Sequence, residues 1–460
     1  MTETNHDVIE NVLYDDITVG QSARLVRTLT LEDIRAFAAV SGDVNPAHLD
    51  TSFANESMFH GVIGHGMWTG SLVSTVLGTV FPGPGTIYLE QSFRFKRPVR
   101  IGDTLTVTVA VAEKNDEKHS LILDCRIDNQ NGDVVVVGQA KVMAPTEKII
   151  RPRMHPPKLN LFDPETRAQN FQTSLDVSPP IRVGVIHPTD QISLTAALEM
   201  AETGTLVPVL IGPRLKIEGL ASELGIDISS LEIIDVAHSH QAAQIGCDLA
   251  AKSQLESLHR GNLDKSEIIE AIKNTPALHT KTSLSHIFRF DVPLYDKPLL
   301  LTDAVLHHRP SLADKVVIVQ NAIHVAEQLG VETPKVALLS AVDRIDAEYQ
   351  STLDAAALCK MSDRKQITGG ELDGPIVFDQ AVSDPSNGVG YSDILVAPDN
   401  ESANMLAKQL EFFAGASVCG VLYGTRVPIG FTMRSGSVQS HVLSAIFAGR
   451  IAKHFRTDKP

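Results

Sequence analysis

Between residues 147 and 180 the chain carries Pro152, Pro156, Pro157, Pro164, Pro179 and Pro180, with few apolar residues among them. Proline has a fixed φ and no backbone donor, so such a stretch resists both helix and ladder. It reads as a linker, or as chain wrapping over a surface, and it separates two regions whose apolar periodicity differs. Residues 10–146 show one helical stretch and then alternating strands. Residues 181–460 alternate short apolar runs with helical patterns. At about 100–200 residues per domain, 460 residues accommodate this division.

In the first region LEDIRAFAAVSGD predicts a helix with Leu31, Ile34, Phe37 and Ala38 on one face. GHGMWTGSLVSTVLGTVF predicts a second helix, apolar nearly all round and therefore buried on most sides. TIYLEQSFRFKRPV, DTLTVTVAVAEK, SLILDCRIDNQ and DVVVVGQAKVMA predict strands, with turns at Gly102-Asp103 and Asn131-Gly132-Asp133. The expected product is an α+β domain, a mostly antiparallel sheet around one apolar helix. In the last region IRVGVIH, LVPVLIG, LEIIDVA, KVALLSAV, DILVAPD and SVCGVLYG are near-continuous apolar runs between amphipathic helices. That pattern predicts an α/β domain with a largely parallel sheet covered on both faces.

Several function classes are excluded by composition. A formal net charge of −15 offers no broad basic surface to a nucleic acid, although a local basic patch still suits an anionic small ligand. No run of 18 apolar residues occurs, so no membrane-spanning helix is expected. The polar, acidic start MTETNHDVIENVLYDD lacks signal-peptide features. Cys125, Cys247, Cys359 and Cys419 are far apart and read as reduced core thiols, so a cytoplasmic protein is expected. There is no P-loop, HExxH, GxSxG or GxGxxG element. His238–His240 and His307–His308 have no third ligand at useful spacing, so neither a metal nor a cofactor is expected.

Two constellations carry chemistry in the first region. SGDVNPAHLD places Asp43, Asn45 and His48 on a turn stiffened by Pro46. A carboxylate and an imidazole so placed can hold a water and move its proton; the same spacing also suits an Asx turn with a surface histidine. His65-Gly66-Met67 opens the apolar helix, where unpaired amides favour an oxyanion. Gly66 equally suits close helix–sheet packing.

Taken together, SGDVNPAHLD, GVIGHGMWTGSLVSTVLG and PGTIYLEQSFRFKRPVRIGD resemble the MaoC-like, (R)-specific enoyl-CoA hydratases over residues 15–145. The resemblance implies a hot-dog fold and reversible hydration of a trans-2-enoyl-CoA. It implies that Asp43 and His48 bind and activate water, that Gly66 N–H stabilises the enolate oxygen, and that Asn45 shapes the turn. It also implies at least a dimer. Arg94 and Lys96 suit either CoA phosphates or a solvated strand face.

At the other end, Arg434-Ser435-Gly436-Ser437 follows a strand expected to end at Met433 and opens a helix, a combination that suits an anion or a plain serine cap. DVPLYDKPLLLTDA, VVIVQNAIHVAEQLG, PKVALLSAV, STLDAAALCKMSDR and DILVAPDNESANMLAKQLEFFAGA resemble the phosphate acetyl/butyryltransferases over residues 181–455. The whole chain thus resembles the fused bifunctional hydratase/phosphate acetyltransferase proteins. The implied reaction moves an acyl group between CoA and inorganic phosphate without metal or cofactor. Arg434 falls on the family's active-site arginine, with Asn404, Ser340, Ser435 and Ser437 as substrate-binding candidates. Departures from the family pattern stand at Met433, at Gly436, at Ala403 and at Arg260-Gly261-Asn262. Because of them two further readings stay open: a hydratase with a catalytically silent CoA-binding or oligomerising second domain, and a non-enzymatic acyl-CoA sensor.

Overall fold

The computed structural model describes residues 8–154, 164–383, 391–433 and 436–457. The chain divides into two compact units, Met1–Leu161 and Phe162–Pro460.

The first unit contains β1 (Val8–Glu10), β2 (Ser22–Thr28), α1 (Leu31–Ser41), α2 (Pro46–Leu49), α3 (Thr51–Glu56), α4 (Gly66–Thr79), β3 (Ile87–Phe95), β4 (Thr104–Asn115), β5 (Ser120–Asp128), β6 (Val134–Met143) and β7 (Ile150–Pro152). Strands β2-β4-β5-β6-β3 form an antiparallel sheet in that order. Period-two alternation in β4 buries Leu105, Val107, Val109 and Val111, which share one core with Trp68, Leu72, Val73 and Val76 of α4. This is the antiparallel sheet around an apolar helix that the sequence predicts. The helix, however, is not buried all round. Met67, Ser71, Thr75 and Gly78 form an exposed stripe, because small and hydroxylated residues recur there at helical spacing. Leu31 is likewise exposed, leaving Ile34 and Ala38 to bury α1. Strand β3 is an edge of its sheet and exposes Ile87, Tyr88, Leu89 and Phe95.

The second unit contains α5 (Pro164–Thr173), β8 (Ile181–Ile186), α6 (Gln191–Glu202), β9 (Leu206–Gly212), α7 (Arg214–Leu224), β10 (Glu232–Asp235), α8 (Ser239–Ala251), β11 (Ser257–Arg260), α9 (Lys265–Lys273), β12 (Ser285–Asp291) and β13 (Leu299–Thr302). It continues with α10 (Leu312–Gln328), β14 (Lys335–Leu339), α11 (Gln350–Asp363), β15 (Glu371–Ile376), α12 (Phe378–Val382), β16 (Ile394–Val396), α13 (Asn400–Phe412), β17 (Ser417–Tyr423), β18 (Ile429–Gly430) and α14 (Val438–Thr457). Among the described residues the strands form one sheet ordered β10-β9-β8-β11-β18-β17-β12-β13-β16-β14-β15. The flanking pairings are parallel, whereas β18–β17, β17–β12 and β12–β13 are antiparallel. The two parallel halves therefore run in opposite senses. The strand expected to reach Met433 ends at Gly430, and the next helix begins at Val438.

The described residues of the proline-rich stretch join the two units. Strand β7 pairs antiparallel with β1. Beside that pairing the buried Asn11 donates to the Glu147 carbonyl (2.8 Å) and accepts from the Ile149 amide (2.9 Å). At the far end α5 delivers Ala168 and Phe171, and the following turn Leu175, into the core of the second unit. A chain cut between residues 154 and 164 is thus expected to release a soluble, folded first unit. A second unit starting after Leu175 is expected to be destabilised by about 3–5 kcal/mol, the cost typical of deleting a buried aromatic side chain such as Phe171. Limited proteolysis followed by denaturant titration of both fragments checks this; an insoluble first fragment would contradict it.

Candidate active sites

In the first unit the turn after α1 and the short helix α2 meet the start of α4. Thr30 and Asp33 form a capping box on α1, which ends at Gly42 in the left-handed region (φ 74°). The reversal brings Asp43 to the surface beside the next turn. Asn45 caps α2 by accepting from the Ala47 amide (3.0 Å), and Pro46 occupies its first position. His48 on α2 donates from Nδ1 to the Ile63 carbonyl (2.9 Å). His65 donates from Nε2 to the Asp43 carbonyl (2.9 Å). A carbonyl only accepts, so both tautomers are assigned by their partners. His48 keeps Nε2, and His65 keeps Nδ1, as a lone-pair acceptor when neutral.

The two imidazoles lie 3.9 Å apart, tilted by 33°. One ligand-type atom from each of Asp43, His48 and His65 lies within 4.8 Å of the others. His65 is buried, and its Nδ1 has no hydrogen-bond partner among the described residues. His65 has no role in the sequence pattern; its only signal there is its place at the cap of an apolar helix, and its inward burial is a finding of the fold. Gly66 opens α4, where the first amides lack partners one turn back. A side chain there would meet Phe95 at 3.3 Å. The structure thus brings Asp43, Asn45, His48 and Gly66 to one place. Arg94 and Lys96 are exposed.

The second unit scatters its candidates more widely. Arg434 and Ser435 lie outside the described residues. Ser437 is exposed, and its Oγ accepts from the Ser440 amide (3.2 Å), a helix-cap role. Asn404, in the second turn of α13, donates to the Ala304 carbonyl (3.5 Å). Ser340, just past β14, shares a hydrogen bond with Ser351 (2.8 Å). No hydrogen bond joins Ser340 to Asn404 among the described residues. Met433 is buried in one apolar cluster with Ala304, Leu395, Ala403 and Ala407. Two positions that depart from the family pattern, Met433 and Ala403, therefore sit in the same core.

Arg260, Gly261, Asn262 and Gly436, also departures, line a cavity of about 290 Å3 together with His441. His441 Nδ1 meets His259 Nε2 at 2.9 Å, and its Nε2 meets Thr432 Oγ1 at 3.3 Å. Burial and the nearby Arg260 charge hold His441 down to about 4, so it is a neutral imidazole near neutral pH. Nothing in the spacing of residues 259 and 441 announces this pair. Of the histidines considered for metal binding, His240 pairs with Glu267 (2.7 Å) and His307 with Asp303 (2.9 Å). The cysteines are free, and burial pushes Cys125 and Cys359 up to about 11, as expected of unreactive thiols.

A phosphate acetyltransferase of Rickettsia felis is 39% identical over 313 residues, covering 65% of this chain and 90% of that protein. The chain belongs to the phosphate acetyl/butyryl transferase family. The family model, "Phosphate acetyl/butaryl transferase", matches residues 264–448, and a "MaoC like domain" matches residues 17–124. The family domain is thus preceded on the same chain by a MaoC-like one. A branched-chain phosphotransacylase from Enterococcus faecalis shares 26% identity, covering 59% of this chain and 99% of its own, with a TM-score of 0.53. The unliganded R-hydratase from Pseudomonas aeruginosa shares 42% identity, covering 34% of this chain and 99% of its own, with a TM-score of 0.33. Among the described residues no helix is long and apolar enough to cross a membrane.

Proposed function

We propose that the first unit adds water reversibly, and (R)-specifically, to a trans-2-enoyl-CoA, and that the second unit transfers an acyl group between CoA and inorganic phosphate. The observation that carries the first half is the convergence of Asp43, His48 and His65 at the start of α4. In this reading the Asp43 carboxylate and His48 Nε2 hold one water. As its oxygen attacks C3, one of the two takes the water proton and then delivers it to C2, so the H and OH of one water add across the double bond and the catalytic group ends as it began. Charge developing on the thioester oxygen is met by the Gly66 amide and the positive end of α4. Asn45 keeps the turn in place, and no metal or cofactor enters the reaction. The test is incubation with a short trans-2-enoyl-CoA and chiral analysis of the 3-hydroxyacyl product. A racemic or (S) product would refute the stereochemical assignment. Exhaustive treatment with a chelator is expected to leave the rate unchanged; loss restored by a divalent cation would make Asp43, His48 and His65 its ligands.

Acyl transfer is supported by the family membership over the second unit. Arg434 would neutralise the phosphate, with Asn404, Ser340, Ser435 and Ser437 as binding groups. A second reading, a hydratase with a silent second unit, is favoured by one observation: Met433 is packed into an apolar core. Phosphate-dependent release of CoA from acetyl- or butyryl-CoA separates the two. Homo-oligomerisation is part of the proposal, because the exposed apolar edge of β3 is otherwise a pairing hazard. A cytoplasmic location completes it.

A further inference from the structure

The loop after β13 holds an imidazole against a buried carboxylate. Asp303, 4% exposed, accepts from the amides of Val305 (2.9 Å) and Leu306 (2.8 Å) through Oδ1. Its Oδ2 accepts from the His286 amide (3.1 Å) and from His307 Nδ1 (2.9 Å). Burial alone would raise the Asp303 carboxyl, but the His307 hydrogen bond and the amides hold it below the usual carboxylate range. A carboxylate so occupied stays ionised and receives the Nδ1 hydrogen, which leaves His307 Nε2 as the free lone pair.

His307 borders a cavity of about 490 Å3 whose lining includes Lys273, Thr282 and Ser283; the hydroxyls of Thr280 and Thr425, also in the lining, donate to the Gly424 and Val427 carbonyls (2.7 and 2.6 Å). The same loop receives Asn404 on the Ala304 carbonyl. His286, bonded to Asp303 through its amide, meets the Phe431 carbonyl through Nε2 (3.2 Å), so the loop is tied to the segment that leads into residue 433.

We propose that Asp303 and His307 form the proton-transfer dyad of the second unit, with His307 Nε2 as the catalytic base for the thiol of CoA and Asp303 as its positioning residue. The inference rests on the acyl-transfer reading above. In the step, His307 removes the S–H proton and the sulfur pair attacks the carbonyl carbon of the acyl phosphate. The new C–S bond replaces the C–O bond to phosphate. Phosphate leaves with that electron pair, and the proton passes from His307 to phosphate or solvent. In the reverse direction the imidazolium returns the proton to departing CoA sulfur.

The groups facing His307 set its working range. Asp303 on its own loop and Asp314 of α10 hold it above the ordinary imidazole value, against partial burial. Lys273 of α9 and His279, ahead of β12, share its cavity, and Lys265 of α9 bonds the Val305 carbonyl (2.8 Å). A base must be unprotonated, so the rate falls as pH drops through this raised value.

The experiment uses the full chain, acetyl phosphate and CoA across pH, beside His307→Ala and Asp303→Asn. His307→Ala is expected to lose about 10²–10⁴-fold in kcat, partly restored by added imidazole in its neutral form. Asp303→Asn is expected to shift the acid limb to lower pH. Thiolate absorbance of bound CoA, read without turnover, is expected in the parent and lost in His307→Ala. If the parent transfers acyl groups and His307→Ala matches its rate and pH profile, the dyad is wrong while the transferase reading stands. If the parent neither transfers nor binds CoA, both fail together.

Discussion

His48→Ala is expected to lower hydration of a short trans-2-enoyl-CoA by about 10²–10⁴-fold, and Asp43→Ala to fall in the same range. The two side chains share one water, so the double variant is expected to be little worse than either single one. His48 also bonds the Ile63 carbonyl through Nδ1, so alanine removes a structural contact as well. His48→Asn separates the two effects, since its amide can still donate to Ile63 but offers nothing at the Nε2 position. Loss of rate with retention of the parent's circular dichroism and melting curve identifies Nε2 as the missing group. Parent-level turnover in correctly folded His48→Ala and Asp43→Ala would end the hydratase assignment.

Met433→Ser is expected to destabilise the second unit by about 2–5 kcal/mol and not to raise acyl transfer. Viewed as sequence, serine restores a hydrogen-bond donor beside Arg434. Viewed in the fold, the side chain at 433 is 8% exposed among Ala304, Leu395, Ala403 and Ala407. Serine there leaves a cavity and buries a hydroxyl. Denaturant titration reporting on the second unit, with transfer assayed at saturating phosphate, checks both halves. A variant as stable as the parent and faster at transfer would mean that position 433 faces phosphate after all.

The first unit was legible because its elements obey simple periods. Strand β4 alternates strictly, α4 is dense in apolar residues, and Asp43, Asn45 and His48 fall within one short turn. What the sequence hid was the partner that lies far along the chain: His65 reaches Asp43 across 22 positions. In the second unit the apolar runs marked β8, β9, β10, β14, β16 and β17, but not β11, β12, β13 or β15. Strands β11 and β12 are buried throughout, yet they carry His259 and Arg260, or His286, Arg289 and Asp291. Burial of such groups is tolerated only with partners, as Arg289 finds in Asp291 (2.6 Å) and His259 in His441 (2.9 Å), and pairing of that kind leaves no periodic trace. The Asp303–His307 contact escaped for the opposite reason. It spans four residues, but it needs the loop after β13 to fold back on itself, which neither helical nor extended periodicity announces.

Strands β1 and β7 join the outermost described segments of the first unit, and Asn11 stitches the chain beside them to residues 147 and 149. A unit whose beginning and end are paired side by side can be spliced at a single seam. Its ends can be closed by a short linker and reopened elsewhere, for example at the Asn131-Gly132 turn, to give a circular permutant that keeps every strand pairing of the five-stranded sheet. The same adjacency means that another protein could carry this unit in a surface loop, with both crossings at one point. The unit is therefore portable as a module, and portability of that kind is what lets a hydratase-like domain be joined to an unrelated fold without either core being redesigned.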